Sequence, residues 1–169
     1  MKTTIDLNTR VLNLLILLLG LSSTPVFAFV DIFAEISGIP GESIDDTHTD
    51  WIDILSASGN FSSKSCGEFK MSKFLDTATP ALIASTVTGL VHPTITVEFR
   101  RAGKEFVNLR LEFTNATITN IATTDEAGAE KATEVVTINA ESITVEYTPS
   151  DKSGNPGNPV TETVTCNKK

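Results

Sequence analysis

The chain has 169 residues, and its 13 Lys and Arg against 21 Asp and Glu give a formal net charge of −8 at pH 7. This acidic balance argues against nucleic acid and anionic membrane surfaces as partners, because both require a basic footprint on the protein. The length suits a single domain with its own hydrophobic core.

Residues 1–28 have the pattern of a secretory signal peptide. A positively charged start precedes an apolar run over residues 11–21, and residues 26–28, Val-Phe-Ala, resemble a cleavage site. The apolar run is too short to span a bilayer. We predict cleavage after Ala28, a secreted or periplasmic location without membrane attachment, and a mature domain of residues 29–169. The alternatives are an uncleaved anchor, or a start codon placed upstream of a cytosolic protein. Cleavage removes two basic residues and one acidic residue, leaving 11 Lys and Arg against 20 Asp and Glu, a net charge near −9.

The next segment, residues 31–55, holds a turn and a polar arm between two strand patterns. The turn reads Gly-Ile-Pro-Gly-Glu-Ser over residues 38–43, and the arm reads Asp-Asp-Thr-His-Thr-Asp over residues 45–50. Its carboxylates and single His are weak evidence for a metal site, because calcium requires a tight glycine turn and zinc requires more His or Cys. We predict no metal here.

The remainder of the chain reads as β-structure with one short helix. Apolar and polar residues alternate over residues 94–100, 107–113, 136–140 and 142–147, which is typical of half-buried antiparallel strands. A helix is predicted between Thr79, as its cap, and Gly89, as its end, with Pro80 at the first helical position. A Gly- and Pro-rich loop over residues 149–159 precedes a last strand that ends at Cys166. Short strands at this spacing favour a sandwich or a barrel.

Cys66 and Cys166 are the two cysteines of the chain. Behind an export signal, two cysteines indicate a disulfide bond formed in an oxidising compartment. The alternative is two unpaired thiols, and neither Cys belongs to a C-x-x-C motif that would indicate redox catalysis.

The sequence contains no motif of a common enzyme class. It lacks the G-x-S-x-G elbow of a serine hydrolase, the P-loop and the dinucleotide-binding fingerprint. We therefore predict a protein that is not an enzyme and that uses no cofactor.

The order and spacing of these segments resemble the Hcp family, the ring proteins that form the tube of the bacterial type VI secretion apparatus. The G-x-x-G-E-S turn, the D-D-x-H-x-D arm and the following I-x-x-L strand stand at the relative spacings of that family. The similarity continues through the segments at residues 68–76, 79–89, 99–103, 133–138 and 145–149.

The resemblance implies an all-β fold, an antiparallel β-barrel of two sheets with one short α-helix packed on its side. It also implies a ring of six copies, whose stacked rings form a tube with a lumen that carries small effectors in some members. Residues 42–50, which include the arm, correspond to the extended loop that reaches a neighbouring subunit in the family, and Ser58 matches a position that faces the lumen. The implied subunit-contact residues are Glu42, Ser43, Asp45, Asp46, His48, Asp50 and Trp51.

Two hypotheses for function follow from the sequence. The first is an Hcp-like, ring-forming structural protein that associates with other type VI secretion components and effectors. The second is an exported protein of the same fold that acts as a periplasmic or extracellular binding or adhesion module, since tube members usually lack an export signal.

Overall fold

The computed structural model describes residues 30–62, 66–101, 106–124 and 131–166. The predicted signal peptide lies outside these residues. Among the described residues, no helix has the length and apolar character needed to cross a membrane.

The described residues form nine antiparallel strands and one helix. In chain order these elements are β1 Val30–Ile36, β2 Ile52–Ile54, β3 Ser56–Gly59, β4 Phe69–Phe74, α1 Thr79–Thr88, β5 Val91–Arg101, β6 Val107–Thr124, β7 Thr133–Asn139, β8 Ser142–Tyr147 and β9 Val160–Thr165.

The strands close into a barrel because the two ends of the sheet are consecutive in the chain. The strand order is β2-β1-β5-β6-β7-β4-β3, and only Leu55 separates β2 from β3. The Leu55 amide donates to the Ser72 carbonyl at 2.8 Å, which ties this junction to β4. The predicted class, an antiparallel β-barrel with one short helix, is confirmed.

The long strand β6 joins the two layers of the barrel. On one side of β6, residues 107–117 pair with β5; on the other side, residues 109–114 pair with β8, whereas residues 117–124 pair with β7. The change of neighbour coincides with Asn115, which has a φ of 49°, and with a register shift between Ile118 and Asn120. A bend at this point lets a single strand serve both layers.

The hydrophobic core fills the space inside the barrel. Its fully buried members come from the helix and from the strands β1, β2, β4, β5, β6 and β7, and they include Ile95, Val97, Phe113 and Ile138. They occupy the inward positions of the alternating strands that the sequence predicts, and their burial is the main stabilising contribution to the fold.

A buried ion pair fixes the start of the helix to the barrel. Lys73 on β4 faces Glu134 on β7 directly across the sheet, and the Lys73 Nζ donates to Glu134 Oε1 at 2.8 Å and to Asp76 Oδ1 at 2.7 Å. Lys73 and Glu134 are respectively 1% and 0% exposed, and Glu134 Oε2 accepts no hydrogen bond.

The helix begins differently from the sequence prediction. Thr79 is the first helical residue rather than the cap, which is Ala78, and the Thr79 hydroxyl donates to Glu134 Oε1 at 2.9 Å. The prediction of Thr79 as cap is therefore wrong, and Pro80 is the second helical residue rather than the first. The Thr79 oxygen accepts from the Asp76 amide at 3.2 Å, before the helix, rather than from an amide of the first turn. Gly89 ends the helix as predicted, with a φ of 63°.

His92 and Ser85 form a second buried polar pair beneath the helix. The Ser85 Oγ and the His92 Nε2 are 2.7 Å apart, and both side chains are buried. Burial lowers the pKa of His92 below its ordinary value, because a charged imidazole would lose its hydration there.

The two cysteines are joined in the structure. The Cys66–Cys166 disulfide links the segment that leads into β4 with the end of β9, and the two Cα atoms are 5.2 Å apart. Among the described strands β9 pairs only with β8, so the disulfide is its second attachment to the barrel.

Candidate functional site

From here on the arm denotes residues 41–51, which form the last part of the connection between β1 and β2. Its base is closed by backbone hydrogen bonds from the Gly41 amide to the Asp50 carbonyl at 2.7 Å and from the Ser43 amide to the Trp51 carbonyl at 2.9 Å. A Cβ at Gly41 would lie 2.3 Å from the Trp51 carbonyl oxygen, so the close approach of the two sides requires glycine. The base of the arm is therefore a fixed part of the fold.

The arm lies against the outer face of the β1–β5 ladder. Thr96 and Glu98 occupy outward positions on β5, yet they are only 3% and 9% exposed. Phe33, which pairs with Glu98 across the ladder, is 6% exposed on the same face. Outward positions of a barrel strand are normally solvated, so the low exposure of these residues shows where the arm covers the sheet.

His48 is the side chain that anchors the arm to this face. Its ring stacks on Phe33 at a centroid distance of 4.1 Å, and Trp51 meets it edge-on at 4.8 Å. The His48 Nε2 lies 2.8 Å from Glu98 Oε2, and the Nδ1 lies 2.9 Å from Asp45 Oδ1. The two ring nitrogens thus link β5, through Glu98, to the arm itself, through Asp45.

Arg100 makes the second attachment of the arm. Its guanidinium donates to both carboxylate oxygens of Asp45, at 3.0 Å for Oδ1, and to Asp31 Oδ2 at 3.3 Å. The hydrogen bond from Arg100, followed by that from His48, holds the pKa of Asp45 well below its usual range. The same pairing with Asp45 raises the pKa of Arg100. Asp45 is therefore ionised, and it binds the arm to β5 through a two-pronged contact.

The predicted contact residues separate into two groups. Ser43 and His48 are buried within the chain, and Asp45 is largely covered by Arg100 and His48. Glu42, Asp46 and Asp50 are exposed, and Trp51 is half-buried. The first group holds the arm in place, whereas the second group faces solvent.

The arm contains one exposed aliphatic residue, Ile44, that the sequence analysis did not single out. Ile44 is 94% exposed, although its neighbour Ser43 is buried. A large aliphatic side chain held out into water from a rigid loop suits a protein contact better than it suits an isolated surface. Its signal in the sequence was a single apolar residue within the otherwise polar stretch of residues 42–50.

Sequence reasoning also missed Phe33, Glu98 and Arg100. All three lie on strands that were predicted correctly. Alternation alone, however, marks Glu98 and Arg100 as solvent-facing. The available signal was charge complementarity, since the arm carries acids and one His whereas β5 carries Glu98 and Arg100 two residues apart.

Ser58, the predicted lumen residue, lies on β3 opposite Lys70 and is exposed. The structure places it away from the arm contacts described above. The disulfide and Ser58 are thus separate from the arm.

Three comparisons relate this chain to known proteins. Residues 33–147 match the family described as "Type VI secretion system effector, Hcp". Protein hcp1 from Pseudomonas aeruginosa is 29% identical over 141 residues, covering 74% of this chain and 87% of that protein. The crystal structure of Hcp1 from Salmonella typhimurium superposes with a TM-score of 0.72 at 26% identity, covering 82% of this chain and 95% of that one. A type VI secretion system effector from Yersinia pestis gives a TM-score of 0.70 at 25% identity, covering 80% and 99% of the two chains.

Proposed function

Because the chain belongs to the Hcp family of type VI secretion proteins, we propose that it is a ring-forming structural subunit of a secretion tube. The match covers the barrel from β1 to β8, including the arm and the helix. The similar structure from Yersinia pestis is that of a type VI secretion system effector, and this chain covers 95% and 99% of the two similar crystal structures. The proposed role is mechanical and non-enzymatic.

The arm carries the proposal for assembly. A closed ring needs a heterologous interface, in which one patch of a subunit meets a different patch on the next copy. The arm offers such a patch because the contacts of His48 and Arg100 hold it against β5 while Ile44 is exposed. A rigid loop that presents one apolar side chain loses little conformational entropy on binding.

The contact set that we propose is the exposed part of the arm. Ile44 is its apolar centre, and Glu42, Asp46, Asp50 and the open face of Trp51 form its rim. The buried residues Ser43 and His48, together with Asp45, position this set rather than touching the neighbour. Six copies per ring, association with other secretion components and effectors, and a lumen lined by Ser58 complete the proposal.

The test is the oligomeric state of the protein that lacks residues 1–28. Native mass spectrometry at micromolar concentration should show a six-subunit assembly, and Ile44→Asp should give folded monomers. Val87→Asp is the matched control, because Val87 is 83% exposed on α1, away from the arm. The control should assemble like the unchanged chain.

Two results would contradict the ring proposal. The first is a folded unchanged chain that stays monomeric across salt and concentration. The second is an Ile44→Asp variant that assembles as well as the Val87→Asp variant. Salt is a useful variable, because screening of the acidic surface should tighten assembly.

One observation favours the second candidate, an exported binding module of the same fold. The Cys66–Cys166 disulfide is the kind of bond that persists in oxidising compartments and is rare in the cytosol. We therefore also propose that the chain is exported and cleaved after Ala28. N-terminal sequencing of periplasmic material should begin at Phe29, and recovery of the intact chain from the cytosol alone would refute export.

A further inference from the structure

The barrel contains an apolar pocket that lies outside the arm. Its volume is about 520 Å³, and it opens between β3 and the hairpin of β8 and β9. The described residues that form its apolar walls include Phe69, Phe99, Leu109, Leu111, Val145 and Val164. Protein interiors are normally packed as densely as organic crystals, so a space of this size inside a small barrel needs a cause.

The cause is the sequence of β3, Ser-Ala-Ser-Gly. Ala57 pairs with Met71, and Gly59 pairs with Phe69, so both share the inward face on which Met71 and Phe69 are 1% and 4% exposed. Two positions that face the core therefore carry almost no side chain. The opposing side chains on β6 and β8 do not reach across, and the volume stays open.

Phe61 stands at the mouth of this pocket. A Cβ at Gly59 would lie 2.6 Å from the Phe61 ring, so the ring packs directly on the glycine backbone. Phe61 is nevertheless 56% exposed, which leaves an aromatic face beside the opening. Gly59 thus leaves the pocket unfilled, and its lack of a side chain also lets the Phe61 ring pack at the edge of the pocket.

The disulfide holds the far wall in place. Cys66 lines the pocket, and its bond to Cys166 fastens the end of β9, which carries the lining residues Val164 and Thr165. Every residue of β9 is exposed, and β9 pairs only with β8 among the described strands. Without the covalent bond, this wall would depend on one edge of backbone hydrogen bonds.

The chemistry of the lining selects the ligand. None of the described lining residues is charged, and the polar contributions come from the short side chains Ser58, Ser62 and Thr165 and from the backbone. An ionised carboxylate or phosphate would lose its hydration there without a partner, and the acidic chain would repel it further. The volume lies within the range of small-molecule sites, which are mainly apolar with few polar groups. We propose that this pocket binds an uncharged apolar small molecule.

The test uses N-phenyl-1-naphthylamine, a neutral dye that fluoresces in apolar surroundings, and the full mature chain. The dye should bind saturably, with one molecule per chain, and the anionic dye 8-anilinonaphthalene-1-sulfonate should bind more weakly. Ala57→Phe fills the inward face of β3 and should weaken binding of the neutral dye at least about tenfold. Ser56→Phe is the matched control, since Ser56 is the adjacent exposed residue and does not line the pocket.

Folding and assembly are measured on the same samples. Val145→Phe fills the pocket from β8 and replaces Ala57→Phe if that variant fails to fold. Absence of saturable binding, or equal binding by the filled and control variants, would overturn the proposal. Binding by monomers that disappears in assembled rings would also overturn it, because a neighbouring copy would then be the occupant. Binding that persists in a chain that never forms rings would support this site and refute only the ring.

Discussion

The buried pair of Lys73 and Glu134 offers a sharp test of the fold. Replacing Lys73 with Met keeps an unbranched side chain but removes the ammonium group, and with it the charge that faces a carboxylate of 0% exposure. Glu134 would retain one hydrogen bond, from the Thr79 hydroxyl, while its Oε2 already has no partner. Breaking one partner of a buried ion pair typically costs about 3–5 kcal/mol. We expect the free energy of unfolding to fall by that amount.

The reverse substitution should cost less, and this asymmetry comes from the structure. In Glu134→Met, Lys73 keeps Asp76 at 2.7 Å and the Phe74 carbonyl at 2.8 Å, so its ammonium group is not left without partners. The double variant replaces the pair with apolar side chains and should lose less stability than the sum of the single variants. A coupling of about 1–3 kcal/mol is expected for residues in direct contact.

The assay is urea denaturation followed by the fluorescence of Trp51, the single tryptophan, and by circular dichroism. Lys70→Met is the matched control, because Lys70 lies on the same strand, is 51% exposed and pairs with Glu68 at 3.2 Å. That exposed pair should be worth less than about 1 kcal/mol. A Lys73→Met cost no larger than the Lys70→Met cost, or additive effects in the double variant, would refute the account of the buried pair.

Three further predictions concern stability and its pH dependence. Replacing Cys66 and Cys166 with Ser opens a connection of 100 residues, and urea midpoints should report a loss of up to about 4–5 kcal/mol if chain entropy dominates; a change below about 1 kcal/mol would contradict that reasoning. The pKa of Asp45 is lowered in the folded chain, so its contribution to stability is present above its unfolded pKa and is lost as the pH falls through the folded value. Asp45→Asn should therefore flatten the acid side of the stability profile below about pH 4. An acid side identical to that of the unchanged chain would argue against the Arg100 contact. Burial lowers the pKa of His92, so below about pH 6.5 the unfolded chain binds a proton that the folded chain does not. Between pH 7.5 and 5.5 the stability of the unchanged chain should therefore drop by more than that of the His92→Gln variant. Equal drops in urea midpoint would refute this assignment.

The strands were predictable where both faces of the sheet obey the rule of apolar in and polar out. The alternation around Val97 and Leu111 located β5 and the first part of β6, and Pro80 and Gly89 bracketed the helix. Lys73 and Glu134 break that rule, because each occupies an inward position on its strand. In the sequence, the charge of either residue argues against burial. Burial is possible because the register between β4 and β7 places Lys73 directly opposite Glu134, so that the two charges pair.

The arm was predictable as a segment but not as a surface. Its sequence marks a polar loop, and the resemblance to a family assigns it to a neighbouring subunit. Which residues face outward depends on contacts across about fifty positions of the chain, from His48 to Glu98. Such long-range pairings leave no periodic trace in the local sequence, so the burial of His48 and the exposure of Ile44 emerged only from the fold.

The strand β6 has a consequence for how the molecule yields to heat or to mechanical load. Residues 109–114 pair with β8 and residues 117–124 pair with β7, while β5 pairs along residues 107–117, so neither part of the sheet can open without breaking hydrogen bonds of this shared strand. Because β6 is shared, the barrel cannot be divided into independent subdomains that would melt in separate steps. Amide protons on both sides of Asn115 should therefore exchange with solvent in a single global opening, and a subunit pushed through a narrow passage would either keep its whole barrel or lose all of it.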